Sequence, residues 1–350
     1  MPPRPDLFLF ADDYAQPYVQ QGRLGVEREI LPNVSLSVSY LYFRGVHLSR
    51  TRDINLFAPV ATTAVDAAGN TYTVQRFPGT GANADARFTS TTPLRPFANY
   101  NRIQLFESTA NSRYNALAVQ LNRRFSNNLQ FLVSYTFSKA EDDKPDQTAV
   151  VPGGGDDFKV AQNSFDLREE WGRADSDVPH RFVFSPVYEI GKIKWSENAF
   201  VRALFSDYTL SGIVQLQSGS PYSALVGNDP NRDGNRANDR LPGTERNQFT
   251  TPSVYQFDAR IARNIPFGEG RRLRLILEGF NLFNRANVGL APGGGYFSFV
   301  NINRFRGFTA TSVGGVNTLT LLDPLPATPF GTARAIITPR QLQLAVKFDF

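Results

Sequence analysis

Apolar and polar residues alternate along most of this chain. Between Val34 and Tyr42 the apolar Val34, Leu36, Val38, Tyr40 and Tyr42 fall at every second position, with Ser35, Ser37 and Ser39 between them. That period puts the two sets on opposite faces of a β-strand. From Leu117 onward Leu117, Val119, Leu121 and Phe125 oppose Ala118, Gln120, Asn122 and Arg124, and after the turn Leu129, Phe131, Val133, Tyr135 and Phe137 oppose Gln130, Ser134, Thr136 and Ser138. The split returns from Phe182 to Ile190, Leu210 to Leu216, Tyr255 to Ile261, Leu273 to Leu277 and Leu342 to Phe350, with a shorter first run at Leu24 and Val26. Nine strands are predicted, each with one apolar and one polar face.

The links between these runs are of two kinds. Leu31-Pro32-Asn33, Ser126-Asn127-Asn128 and the stretch from Ile265 to Gly270 are short connections, and residues 191–208 form a longer one of helical character. Residues 45–99, 140–178, 219–252 and 284–338 are long links rich in Gly, Pro, Asn and Asp. Short and long links alternate strictly, so every long loop falls at one end of the strands. A soluble sandwich has no need of that regularity, whereas outer-membrane barrels combine short periplasmic turns with long extracellular loops. No apolar run approaches the ~18 residues of a spanning helix, and in a bilayer only helices and closed barrels satisfy every backbone group. The predicted fold class is therefore all-β, an antiparallel transmembrane β-barrel with long extracellular loops, in one domain over residues 1–350. A soluble β-sandwich with one packed and one solvated face is the alternative.

Composition narrows the chemistry. The 350 residues include no cysteine, which removes disulfides, thiolate zinc sites, iron–sulfur clusters and a cysteine nucleophile. With 29 Phe and 13 Tyr the chain is too aromatic to be disordered. The net charge of +5 rests on 31 Arg against six Lys, and arginine suits hydrogen-bonded networks where water is scarce. These arginines are scattered and form no basic stripe, so no nucleic-acid partner is expected. Met1 to Asp6 leads into only Leu7-Phe8-Leu9-Phe10 before Asp12 and Asp13, which is not the pattern of a secretory leader.

Several stretches resemble the TonB-dependent outer-membrane receptors, in particular their Oar-like β-barrel region. They are Arg113-Tyr114-Asn115-Ala116-Leu117 running into Asn122-Arg123-Arg124-Phe125, Ser134-Tyr135-Thr136-Phe137-Ser138-Lys139, Pro179-His180-Arg181-Phe182, Leu216-Gln217-Ser218-Gly219-Ser220-Pro221-Tyr222, Glu278-Gly279-Phe280-Asn281-Leu282-Phe283-Asn284 and Pro339-Arg340-Gln341-Leu342-Gln343-Leu344. They occur in the family's order and span nearly the whole chain. The resemblance implies a barrel of about 22 strands in the Gram-negative outer membrane, a plug preceded by a TonB contact segment, and uptake of a bulky nutrient such as a siderophore, glycan or peptide. Nothing in these residues resembles the leader, the plug or the TonB segment, and the nine predicted strands correspond to the last nine of such a barrel. The expectation is a C-terminal barrel portion, a fragment not competent for transport alone. Its partners would be outer-membrane lipid and the assembly machinery, the missing N-terminal barrel half and plug, the TonB complex only through that plug, and an unknown nutrient ligand. The second reading is an adhesion or ligand-binding module built on the long loops.

The sharpest chemical motif runs from Asp229 to Asp239. Asp229, Asn231 and Asp233 sit at every second position before Gly234, as in the opening half of a calcium loop. Arg240 stands where such a loop carries its bidentate acid, and Asp239 comes one place early. A structural calcium held by Asp229, Asn231, Asp233 and Asp239 is one reading, and a solvated turn-rich loop is the other. No other cofactor is expected. Asp166, Glu169, Glu170, Asp175 and Asp177, mixed with Arg168, Arg173 and Arg181, read as a charge network tying loops together, with contact to a substrate at the barrel mouth as the alternative. Gly153-Gly154-Gly155 and Gly293-Gly294-Gly295 lack the context of phosphate cradles. His47 and His180 are the only histidines, no G-x-S-x-G elbow accompanies them, and no enzyme is expected. Trp195, Phe200, Leu204 and Phe205 suggest a short amphipathic turn at the membrane surface or on the barrel rim. The alternating Leu342, Leu344, Val346, Phe348 and Phe350 resemble the signal read by the outer-membrane assembly machinery.

Overall fold

The alternation becomes a wall of strands. The structure, a computed structural model, describes residues 4–79, 94–144, 160–266, 270–288, 300–302, 304–305, 307–313, 316–323, 329–334, 336 and 339–349. Phe350, both glycine runs and the tip of the link from Ile265 to Gly270 lie outside the described residues. In chain order the strands are β1 (Leu7–Phe10), β2 (Tyr18–Leu31), β3 (Val34–Asp53), β4 (Val60–Val65), β5 (Thr71–Arg76), β6 (Ile103–Ser126), β7 (Leu129–Asp142), β8 (Gly172–Arg173) and β9 (His180–Ile190). They continue, after helix α1 (Ala199–Phe205), with β10 (Tyr208–Gln217), β11 (Pro221–Tyr222), β12 (Phe249–Thr250), β13 (Val254–Pro266), β14 (Arg272–Phe280), β15 (Gly307–Val313), β16 (Val316–Leu322) and β17 (Gln341–Asp349).

The wall has the order β17-β14-β13-β10-β9-β7-β6-β3-β2, so its nine strands are those predicted and each pairs antiparallel with its neighbours in the chain. The sheet is open, with β2 and β17 at its edges. Register aligns the apolar faces: Val26, Val38, Val119, Tyr135, Phe182, Leu216 and Tyr255 form one row across the strands. The adjacent row, Glu27, Ser37, Gln120, Ser134, Val183, Gln215 and Gln256, faces the other way and is polar but for Val183. On the apolar face large side chains stand open, Leu24 at 76% and Leu344 at 84% of full exposure. Such a surface is stable against lipid and unstable against water. Among the described residues no helix is long and apolar enough to cross a membrane.

At the short-link end the turns follow from left-handed residues. Asn127 and Asn128 have φ of 50° and 63°, the two positive values that a tight hairpin turn matched to strand twist requires. Asn33 is left-handed in the β2–β3 turn as well. The helical character expected of residues 191–208 is realised as α1, whose first turn is capped by the Asn198 side chain accepting from Phe200 N and Val201 N.

At the other end the structure departs from a picture of irregular loops. β3 and β6 run for 20 and 24 residues, well beyond the ~9–11 needed to span a bilayer. They carry the wall outward past bulges at Gly45, Leu48 and Arg50. Above it β15-β16-β4-β5 form a separate four-stranded sheet, and β11 pairs with β12. Ala64, Val74, Ala224, Val226, Leu241, Phe305, Phe308, Leu319 and Leu321 pack there as a buried core drawn from three different links. The water-excluding core of this chain thus lies in its loop head, while the wall leaves its apolar side chains for lipid.

Candidate metal centre in the loop head

The link between β10 and β13 carries the acidic motif. It leaves the wall at Gly219, where an added Cβ would lie 1.7 Å from the Thr251 carbonyl oxygen, so only glycine lets the outgoing and returning backbones pass. Past β11 the chain turns at Asn228 and at Arg232, both left-handed, and at Gly234 with φ of 88°. The last of these is the position where the calcium-loop pattern asks for glycine.

These turns gather the acids. One side-chain oxygen from each of Asp229, Asp233 and Asp239 lies within 4.8 Å of the other two, and all three residues are buried. Asp239, one place early in the sequence pattern, comes into the cluster all the same. Asn231 is buried beside them and its Oδ1 accepts from Asp233 N at 2.9 Å. Asp229 accepts from Asp233 N and Gly234 N at 3.1 and 3.0 Å, and Asp233 accepts from Asn235 N at 2.6 Å. Neither side-chain oxygen of Asp239 accepts a hydrogen bond of ordinary geometry, although the residue is 1% exposed. Burial raises Asp229 to about 6. It raises Asp233 and Asp239 well above the usual carboxylate range, where the neighbouring acids push them further. The donor set is all oxygen, which is the chemistry of a hard-cation site.

Around the cluster, side chains tie one link to another. Phe77 N donates to Asn231 O at 2.7 Å, Asn231 Nδ2 to Gln162 O at 3.2 Å, and Asn238 Nδ2 to the carbonyls of Val160 and Ala161 at 3.1 and 3.3 Å. Glu170, fully buried, takes both amino groups of Arg240 at 2.7 and 3.0 Å. Burial alone would raise its pKa, but Arg240 and the Arg246 charge outweigh that and hold it below its ordinary value. Arg246 is itself buried and reaches the carbonyls of Glu170 and Lys144 at 2.8 Å and the Asp142 carboxylate. Arg173 pairs with Asp177 at 2.7 Å, and Asp175 accepts from Asn247 at 2.7 Å. Glu170 and Asp175 therefore belong to a loop-tying network, as expected, whereas Asp166 pairs with Arg168 and Glu169 accepts from Asn163 within their own link. The network's principal cations, Arg240 and Arg246, come from the link beyond β10, while Arg181 lies on the wall strand β9. Nothing in local spacing pointed to that pairing.

A cleft of about 460 Å³ opens beside the cluster, lined by Thr73, Gln162, Asn163, Trp171, Asn231, Asp239 and Arg240 among others. Sequence reasoning missed Trp171, although tryptophan occurs only twice in the chain and that rarity was a usable signal. Of the other predicted residues, His180 stacks on Phe137 at 5.1 Å and its Nδ1 lies 2.8 Å from the Tyr135 hydroxyl, an exposed position on the wall. His47 is a left-handed residue at the β3 bulge, with Nδ1 3.2 Å from Ser108 O. Trp195, Phe200, Leu204 and Phe205 are exposed on and before α1. Leu342, Leu344, Val346 and Phe348 stand exposed in a row on β17.

The profile of the outer membrane beta barrel domain family matches residues 1–243. Among solved structures, the chain is similar to the outer membrane transporter YddB from Escherichia coli, at 10% identity and a TM-score of 0.46 over 99% of this chain and 34% of that one. It is similar to the FrpB iron transporter from Neisseria meningitidis at 10% identity and a TM-score of 0.41, over 97% of this chain and 32% of that one. The ferripyoverdine receptor of the outer membrane of Pseudomonas aeruginosa shares 11% identity with a TM-score of 0.40, over 95% of this chain and 27% of that one. The chain spans about a third or less of the length of these structures. No curated protein matches it.

Proposed function

Because the chain belongs to the outer membrane beta barrel domain family and so sits in the outer membrane of a Gram-negative cell, we propose that it forms part of the wall and the outer loop head of an uptake receptor of the TonB-dependent kind. The nutrient would be bulky and polar: a siderophore, glycan or peptide. The observation that carries this reading is the cleft in the head. Its lining comes from three separate links and mixes amides, charges and one indole, with Gln162, Asn163, Arg168, Glu245 and Trp171 among them. Hydroxyl- or amide-rich ligands are held by such convergent polar groups around an aromatic face. Below it, the inner rows of the wall are polar, and Arg260 and Glu278 pair across β13 and β14 at 3.5 Å.

The open edges at β2 and β17 support reading residues 1–350 as one part of a larger closed barrel. Unpaired strand edges have no hydrogen-bond partners in hydrocarbon, so further strands would complete the pairing. The head is carried entirely by links between wall strands, which supports reading the chain as one domain. The assembly-signal role of β17 and the dependence on TonB through a plug belong to the same proposal.

Cells expressing the protein in its native context provide the test, with labelled ferric siderophores, oligosaccharides and peptides as a panel. One class should accumulate inside, accumulation should stop with a protonophore, and Trp171→Ala should reduce it about tenfold. Surface binding with no accumulation for every class would replace uptake with adhesion.

A further inference from the structure

We propose that Asp229, Asn231, Asp233 and Asp239 bind a calcium ion that braces the junction of three links beside the cleft. The cluster of three acids does not carry this alone. Asp239 is buried to 1% exposure, aims an oxygen into the cluster, and leaves both oxygens without a hydrogen bond of ordinary geometry. A buried carboxylate in that state costs free energy unless something charged meets it. Arg240 is committed to Glu170 and Arg95 to Asp53, while the nearby charges of Arg76 and Arg102 act on Asp229 and Asp233.

The spacing suits the ion. Two oxygens bonded to one calcium at ~2.4 Å lie no more than ~4.8 Å apart, and the three acidic oxygens lie within 4.8 Å of one another. All donors are oxygens and the chain has no cysteine, which sets the site against zinc and other thiophilic metals. Magnesium demands bonds of ~2.0–2.1 Å in a strict octahedron and keeps its waters, which a buried pocket of three carboxylates and an amide does not accommodate.

The ion would fix more than its own loop. Asn231 joins Phe77 and Gln162, and Asn238 joins Val160 and Ala161. Ordering residues 229–239 therefore orders the middle of the links that follow β3 and β7, at Phe77 and at Val160, Ala161 and Gln162. Asn231 and Asp239 also line the cleft, so the ion holds one of its walls. The site stands whether or not the cleft takes a nutrient, and its test contains no uptake measurement.

The experiment uses native protein extracted from outer membranes in mild detergent and stripped with EGTA. Calorimetric titration with calcium chloride should show one ion bound per chain, at micromolar to millimolar affinity, with magnesium at least about tenfold weaker. Protease cutting within residues 219–252 should slow when calcium is added. Asp239→Asn, nearly isosteric, should weaken calcium about tenfold or more, while Asp166→Asn, outside the cluster, should not. Absence of heat at millimolar calcium together with unchanged cutting of the wild-type protein would overturn the proposal, as would equal affinity for magnesium. If Asp239→Asn does not accumulate, the wild-type titration and cutting experiments decide by themselves.

Discussion

Arg240 shows how much rides on single side chains in the head. It meets Glu170, which is fully buried, in an ion pair made of two hydrogen bonds at 2.7 and 3.0 Å. Removing one partner of such a pair strands a charge in low dielectric, which costs about 3–5 kcal/mol. Arg240→Ala should therefore open the head to protease while leaving the far-ultraviolet strand signal of the wall unchanged. The pH dependence follows from the depressed pKa of Glu170. The pair's stabilisation is complete above the unfolded carboxyl value near 4.5 and is lost as pH falls through the lower folded value. Protease sensitivity of the head should thus rise in acid below about pH 4.5, and Glu170→Gln should flatten that part of the profile. The sequence showed Glu170 as one acid in a mixed cluster and Arg240 as the residue displacing a calcium ligand. Their pairing spans 70 positions, a separation that no local pattern reports.

Among elements, the links are where small residues decide geometry. Gly219→Ala would drive a methyl into the Thr251 carbonyl, and overpacking of this kind costs about 1–3 kcal/mol or more. The expected result is a lower level of folded protein in the outer membrane, read by surface labelling. In the β6–β7 turn, Asn128 has φ of 63°. Asn128→Gly should be tolerated there, and Asn128→Val should cost about 1–3 kcal/mol because a β-branched residue resists the left-handed region. Comparing the outer-membrane levels of the two variants checks it. The assembly-signal reading of β17 predicts that Phe350→Asp lowers those levels as well, and unchanged levels would count against it. The turn was readable from Ser126-Asn127-Asn128, because turn chemistry is local. The strands within the long links were not readable. Their apolar residues, such as Ala64, Val74 and Leu319, find their partners in other links.

For the whole molecule, the division between lipid face and inner face makes a sharp contrast at neighbouring residues. Val119 lies in the apolar row and Gln120 in the polar one. Val119→Arg should cost about 2–4 kcal/mol if the row sits near the bilayer midplane and reduce the folded outer-membrane population. Gln120→Arg should be nearly neutral, and equal effects would contradict the assignment of faces. Reconstituted alone in lipid, the nine-stranded wall should not yield a heat-modifiable, protease-resistant barrel, and a stable closed pore would sink the reading of a partial wall. The sequence by itself determined the wall: its strands, their faces, their turns and the end at which the long links lie. It could do so because a strand against lipid must alternate residue by residue, and that constraint is local. Only the tertiary structure decided that the long links condense into a head with its own core, and that Arg240 and Arg246 cross to acids on another link. Those arrangements depend on contacts between residues far apart in the chain, and no periodicity encodes them.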